Sequence, residues 1–590
     1  MGNPQNNEVV RAVREGRLSR RELVLRASTA GMAAPAIMGL LAATAPGALA
    51  QEATPGAEAV PGLEPLEELP ADGLAEAQTF RFGFDPPLIH FDPAQEAGYA
   101  RWIIPLVFTP LFQFQGAGND PSDVLPGLCL SYDVSEDGLA YTLHVDPAAV
   151  WTDGSKVTAS DLKGWMEYIS SPANPGPYKT TLDGVAGYAE VNAGEAEEMS
   201  GLVAVDDETL TIELAQANPL FPIAVLFEYR LGGTKPDVAK ANPEGWWLDN
   251  PPSNGPFMID SLDFDANEYS FVPNPAWWRA APTISRIEAF GGVDQQTLML
   301  MFENGQVDAM FVFGEEAIQM EINHPEAVQP MPGAGGMFFW ALNVNLEPTN
   351  DLNVRKALRH AVDVPGIAQA VYQGQRTAGR GPIWQQDIVG SRFDEIEGLH
   401  EFFTFDPALA TQELAESSYG AAASLPVLNI TTGGTASDKV RATEIMVEMW
   451  RTNLGVNSID IREAPDAFGD QLPAETVNVL RISGGGIPDA AQLLKNFAYS
   501  TSALPLQFMG GYSNPELDTL IDTAYFMDRA DPAYVEAVHE IEDLYLNDYT
   551  YVPLMVDPYS YYVQPWVKNV RANRHNVIYT LTDVFLLPQE

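Results

Sequence analysis

Apolar residues that alternate with polar ones indicate a strand, and apolar residues three and four apart indicate a helix with one buried face. The stretches TFRFGF (79–84), AYTLHV (140–145) and ETLTIEL (208–214) alternate, and each is read as a strand. Asp85-Pro86-Pro87 closes the first, and the turn Ser135-Glu136-Asp137-Gly138 opens the second. TASDLKGWMEYI (158–169) predicts a helix opening near Ser160, with Leu162, Trp165, Met166 and Ile169 on one face. GPFMIDSLDFDANEYSFVPN (255–274) predicts a hairpin turning near 265–267. Further on the spacing becomes helical. Val354, Leu358, Ala361 and Val362 share one helical face. NPELDTLIDTAYF (514–526) has Asn514 to cap it, Pro515 in the first turn, and a buried stripe of Leu517, Leu520, Ile521, Ala524 and Tyr525. Tyr534, Val538, Ile541 and Tyr545 form the stripe of the next helix. Strands in SLPVLNITT (424–432) and TVNVLRIS (476–483) alternate with these helices, which implies α/β layers with crossover connections.

At 590 residues the chain exceeds one compact core, so several lobes are expected. The balance of 32 basic against 80 acidic residues gives a net charge of −48. Such a field repels phosphate backbones and excludes nucleic acid as a partner. It suits a saline exterior or an ordinary acidic exported protein. The sole cysteine, Cys129, allows neither an internal disulfide nor a cysteine-built metal site.

The basic residues begin as an address. Arginines at 11, 14, 17, 20, 21 and 26 precede an uncharged stretch over 27–50 that ends Ala48-Leu49-Ala50. A charged n-region, an apolar h-region and a small-residue cleavage site make residues 1–50 a signal peptide. SRRELVL (19–25) resembles the twin-arginine form. No cysteine stands directly after the h-region, so a lipoprotein anchor is not expected. Residues 51–78, rich in Pro, Glu and Ala, read as a flexible acidic linker. The expected destination is the periplasm or the cell exterior.

Catalytic chemistry leaves no mark. The seven histidines are scattered without metal-ligand spacing, and neither a Gly-x-Ser-x-Gly elbow nor a Ser-x-x-Lys motif occurs. Asp263, Asp265 and Asn267 begin like a calcium loop, but Glu268 and Asn274 stand where glycine and glutamate are needed. The triplet Gly484, Gly485 and Gly486 lacks the Gly-Lys-Ser/Thr that completes a phosphate loop. No catalytic residue, metal or cofactor is expected.

Six blocks in order carry a specific resemblance: LPGLCLSYDVSEDGLAYTLHVDPAAVWTDGSKVTASDLKGWMEY (125–168), SNGPFMIDSLDFDANEYSFVPNPAWW (253–278), TLMLMFENGQVDAMF (297–311), FFWALNVNLEPTNDLNVRKALRHAVD (338–363), GYSNPELDTLID (511–522) and YVPLMVDPYSYYV (551–563). Together they resemble the family 5 extracellular solute-binding proteins of ABC importers, of the oligopeptide- and dipeptide-binding type. The resemblance implies an α/β, two-lobed periplasmic-binding-protein-like clamp, with mixed sheets flanked by helices. Lobe I would comprise 79–115, 203–331 and 556–590, with an inserted subdomain over 116–202 and lobe II over 332–555. The partners it implies are a small-molecule or peptide-like ligand that draws the lobes together, and a membrane permease complex that takes the ligand over. A monomer is expected.

Within such a clamp the loops at the lobe interface line the cleft. The loop after the first strand contributes Asp85 and His90. Trp340 and Asn343 flank the first strand after the hinge, and Arg380 and Trp384 lie in GRGPIWQQD (379–387). Core packing is the preferred reading of each tryptophan, and a partner carboxylate is the competing reading of Arg380. The lobe II wall contributes Gly484, Gly485 and Gly486, with Asp489 in the turn that follows. Peptide-binding relatives place an aspartate on this strand for the peptide's α-amino group, and aligning the turn at Pro488-Asp489 puts Gly484 there. A desolvated ammonium without its partner loses about 2–5 kcal/mol. The ligand classes left open are peptide-like, oligosaccharide and opine, including a sugar stacked on tryptophan. An exported hydrolase and a ligand-sensing surface protein on the same scaffold are the alternatives.

Overall fold

The computed structural model describes residues 66–589, except 86, 96–101, 115–123, 177, 387, 433–436, 463–475, 486–488 and 572–580. The expected signal peptide, most of the linker, and Gly486 therefore lie outside the described residues.

Local chemistry accounts for the elements. Helix α1 (Ala159–Ser170) starts where Thr158 Oγ1 accepts the Asp161 N–H and Asp161 Oδ2 accepts the Thr158 N–H, at 3.2 and 2.9 Å. Strands β1 (Thr79–Phe84), β3 (Ala140–Val145) and β5 (Thr209–Glu213) follow the alternation for most of their length, while β2 (Cys129–Val134) and β4 (Leu202–Asp206) are mostly exposed beyond their first residue. The hairpin of β6 (Phe257–Asp263) and β7 (Glu268–Pro273) turns through Asp263, whose Oδ1 accepts the N–H groups of Asp265 and Ala266, with Asn267 at φ 56°. The residues that begin like a calcium loop therefore form a solvated turn. Next come β8 (Arg286–Phe290), α2 (Gln295–Glu303), β9 (Ala309–Phe311), α3 (Glu315–Asn323) and β10 (Val328–Leu342).

The later half holds α4 (Leu352–His360), α5 (Val364–Tyr372), α6 (Pro407–Glu416), β11 (Leu428–Thr431), α7 (Ser437–Leu454), β12 (Ile459–Arg462), β13 (Val479–Gly484) and α8 (Ala490–Ala498). It ends with α9 (Pro515–Tyr525), α10 (Pro532–Leu546) and β14 (Tyr551–Val563). Asn514 caps α9 by accepting the N–H groups of Glu516 and Leu517. Leu517, Ile521 and Ala524 are buried there, while Leu520 and Tyr525 are only half-buried.

One 11-stranded sheet runs β12-β11-β13-β10-β14-β9-β1-β8-β7-β6, with the two-residue strand Thr377–Ala378 pairing on β14. β1 lies parallel to β8 and β9, and β11 lies parallel to β12 and β13, as crossover connections require. The longest strands, β10 and β14, pair antiparallel in the middle and belong to both halves. Their register slips between Pro330 and Gly335. On one side of the slip β14 pairs with β9, giving lobe I; on the other β10 pairs with β13, giving lobe II. The apolar cores divide at the same place. One runs from Phe80 to Met331 and resumes at Tyr561, while two others draw mainly on residues between Met337 and Met555. A second sheet, β2-β3-β5-β4, packs against α1 within the lobe I core.

Candidate functional site

The slip between β10 and β14 forces the backbones together and opens a space beside them. At Gly335 φ is 127°, and a Cβ there would stand 2.3 Å from the Asp557 carbonyl oxygen, so only glycine fits. Next to it, between the lobes, lies a cavity of about 240 Å³. Lobe I lines it with Phe311, Phe313, Gly314 and Tyr559. Lobe II contributes Phe338, Asp438, Lys439, Arg481 and Ser483, and β14 adds Met555 and Asp557 as it crosses.

Arg481 dominates the charged wall. It stands on β13 opposite Trp340, and its side chain is 2% exposed. Nη2 donates to Asp438 Oδ2 and to Tyr372 Oη, both at 3.4 Å, and the guanidinium lies 4.9 Å from the Phe338 ring centroid. Both bonds are long, and Nε–H has no hydrogen-bond partner among the described residues. Leaving a buried donor unmade costs about 1–3 kcal/mol, more for a charged group, which an anionic ligand group would recover. Asp438, near the start of α7, also accepts from Tyr372 Oη at 3.3 Å. Asp557 is bound by Arg376 Nε, yet burial pushes its carboxyl up to about 6. Beside Gly314, Glu316 is raised by burial and then by Glu315, Asp438 and Asp85, so carboxylates gather at the cleft edge.

The residues expected at the cleft are placed elsewhere, with one partial exception. Asp85 is half-buried at the end of β1, where burial and Asp294 raise its carboxyl, and it acts on Glu316 at the cleft edge. His90 packs in lobe I, 6.0 Å from the Trp247 ring, and burial lowers its pKa. Trp340 is fully buried in a lobe II core, its indole N–H donating to Thr443 Oγ1 at 3.1 Å. Trp384 is 5% exposed in a core with Phe393 and Phe402. For both tryptophans the packing reading replaces the ligand reading, and no tryptophan lines the cavity.

Asn343 braces backbone, donating to the Val477 carbonyl at 3.2 Å and accepting the Asn345 N–H at 3.0 Å. Arg380 pairs with Glu397 at 3.1 Å and donates to the Phe393 carbonyl at 3.0 Å, so its charge is met within lobe II. Gly484 is buried, and a Cβ there would stand 2.5 Å from the Phe497 ring. For Gly485 the close neighbour is the Gly335 carbonyl, 3.1 Å from an added Cβ. These two glycines admit a core ring and the neighbouring strand. Asp489 caps α8, accepting the Gln492 N–H at 2.9 Å, and takes Arg529 through both carboxylate oxygens at 2.8 and 2.9 Å.

The β13 position expected to lack an aspartate is Gly484, while Asp438 and Asp557 line the cavity from α7 and β14, paired with Arg481 and Arg376. The sequence signal for Arg481 and Asp557 was a lone charge inside an otherwise apolar strand, in VLRIS and LMVDPYSYY. Asp438 and the aromatic residues carry no such signal, because their meeting depends on the lobes.

Residues 123–504 match the family model of bacterial extracellular solute-binding proteins, family 5 Middle. The chain is 22% identical to the oligopeptide-binding protein OppA of Bacillus subtilis over 472 residues, covering 77% of this chain and 83% of that one. It is 23% identical to heme-binding protein A of Haemophilus influenzae over 467 residues, 75% of this chain and 79% of that protein. In structure it is similar to the Escherichia coli murein tripeptide binding protein MppA, with a TM-score of 0.71 and 19% identity over 88% of this chain and all of that one.

Proposed function

Since the chain belongs to the bacterial extracellular solute-binding proteins, family 5, we propose that it is exported to capture a small peptide-like solute and hand it to the permease of an ABC importer. The observation that carries this reading is the buried Arg481 guanidinium at the cavity, with long bonds to its neighbours and Nε–H unmatched. A peptide carboxylate takes that donor, and Asp438 or Asp557 faces the ammonium. Side chains of the ligand lie against Phe311, Phe313 and Tyr559. Cavities for drug-sized ligands span about 300–1,000 Å³, so this space suits a short peptide or one end of a longer one. Binding needs contacts from both lobes, so occupancy favours the closed form that a permease can recognise. No bond in the ligand is made or broken.

Peptide-binding relatives support the ligand class, since OppA of Bacillus subtilis is named for oligopeptides. A relative named for heme shows that the scaffold alone does not fix the ligand. The test is calorimetry and thermal shift with trialanine, its N-acetyl and C-amide forms, maltotriose and octopine. Trialanine should bind and be recovered unchanged, and C-terminal amidation should weaken it at least tenfold (~1.4 kcal/mol). Stabilisation by maltotriose and by no peptide, or indifference to amidation, would overturn the assignment.

A further inference from the structure

Helix α3 follows β9 in lobe I, yet three of its contacts reach into lobe II. Gly314, just before it, stands so close to Asp438 that an added Cβ would be 3.5 Å from Oδ1. Ile318, 1% exposed, belongs to a lobe II core with Trp340, Ala368 and Tyr372. Its neighbours on the helix, Ala317 and Met320, belong to a lobe I core with Met310 and Tyr562. In the last turn Glu321 takes the Arg376 guanidinium through both oxygens, at 2.7 and 3.0 Å.

Arg376 sits on the other side of the boundary. It precedes Thr377, which pairs with Val556 of β14, so its backbone is anchored beside the crossing strand. Its side chain is 2% exposed, and its Nε–H is held by Asp557. Asp557 lies on β14 opposite Gly336, just past the slip, and lines the cavity. One guanidinium therefore joins a cavity carboxylate to a lobe I helix.

We infer that Arg376 is a cross-lobe latch: clamped between Asp557 and Glu321, it sets how far the empty clamp stays closed and positions Asp557 for the ligand. The charge count supports this role. With Arg376 absent, Glu321 and Asp557 would repel each other across the boundary: the Glu321 charge already helps to raise Asp557, and both carboxylates help to raise Tyr562. With it present, the carboxylates are drawn together and the lobes with them. Guanidinium suits the position because its fork can hold two carboxylates at once, which a lysine ammonium cannot do with fixed geometry. A population already closed removes part of the conformational cost of binding.

The primary variant is Glu321→Gln, because it cuts the lobe I leg and leaves the Arg376–Asp557 pair in place. Small-angle scattering of the ligand-free protein reads closure directly and does not depend on which solute binds. Glu321→Gln should enlarge the radius of gyration of the empty form, and Arg376→Met should enlarge it further. Circular dichroism at the same temperature separates opening from unfolding, and Glu321→Gln should keep the wild-type spectrum. For trialanine, if the peptide reading holds, Kd should rise roughly 5- to 10-fold in Glu321→Gln. A folded Glu321→Gln variant with an unchanged radius of gyration would overturn the latch, whatever trialanine does. An enlarged radius with no trialanine binding by either protein would uphold the latch and remove the peptide reading instead.

Discussion

The lobe I wall of the cleft is aromatic, and the lobe II wall is charged. Phe311 rests 4.6 Å from Trp102 and 5.3 Å from Tyr561, centroid to centroid, so the aromatic wall is the outer layer of a packed core. Its rings cannot move far, and they attract any apolar surface without strong directional demand. Arg481 and Asp438 instead meet at 3.4 Å, with a buried donor left over among the described residues. A rigid apolar face supplies contact area on closure. A charged face with incomplete pairing discriminates among ligands, because a wrong partner leaves it unsatisfied.

The largest effect should come from the charged wall. Arg481→Met should weaken an anionic peptide more than 100-fold by calorimetry, since a buried hydrogen-bonded charge contributes about 2–5 kcal/mol. Arg481→Lys should restore little of this, because an ammonium cannot reach the same bonds. On the aromatic wall, Phe313→Ala should cost about 1–1.5 kcal/mol, close to tenfold in Kd, with little change between anionic and amidated peptides. Should Phe313→Ala change the preference for a free carboxylate, the division of labour between the walls would fail.

The buried carboxyls should act on stability with one sign in both lobes, opposed up to the ordinary histidine value by His90, His400 and His539, which burial lowers. Burial raises Asp92 in lobe I and Asp557 at the crossing to about 6, and Glu542 in lobe II to about 7. Each folded carboxyl keeps its proton over a range where the unfolded chain has released it. The resulting stability is fully present below the ordinary carboxylate range and is lost as pH rises through these values. Above pH 6.5, where the histidines are neutral in both states, the melting temperature should therefore fall up to pH 8, and an increase over that interval would contradict the burial of these groups. Asp557→Asn should flatten part of the slope. The smallest effect should be that of salt. With a net charge of −48, self-repulsion is screened as NaCl rises, so the melting temperature at pH 8 should increase by a few degrees.

Much of the fold was legible in the sequence because its causes are local. Asn514 with Pro515 and the Asp263–Asn267 turn each act within five residues, and each marks the start or turn of an element in the structure. The family resemblance was legible for the same reason, since its blocks are these local signals in order. The site was much less so. In sequence Trp340 and Trp384 read as core residues first and cleft candidates second, and only strands and helices distant in the chain decide which space they fill. The glycines at 484 and 485 signal a close approach, but only the packing of Phe497 and Gly335 shows what approaches.

The sequence by itself determined many of the strands and helices, the Asn514 cap, the α/β class, and the acidic character of the chain. Backbone preference and side-chain periodicity carry that information over a few residues. Only the tertiary structure decided which charges meet in the cleft. Arg481 reaches Asp438 43 positions away, and both share a cavity with Phe311 on the far side of the hinge. That juxtaposition follows from the register slip between β10 and β14 and from how the lobes close around it. It depends on contacts between distant segments, which no short stretch of the chain encodes.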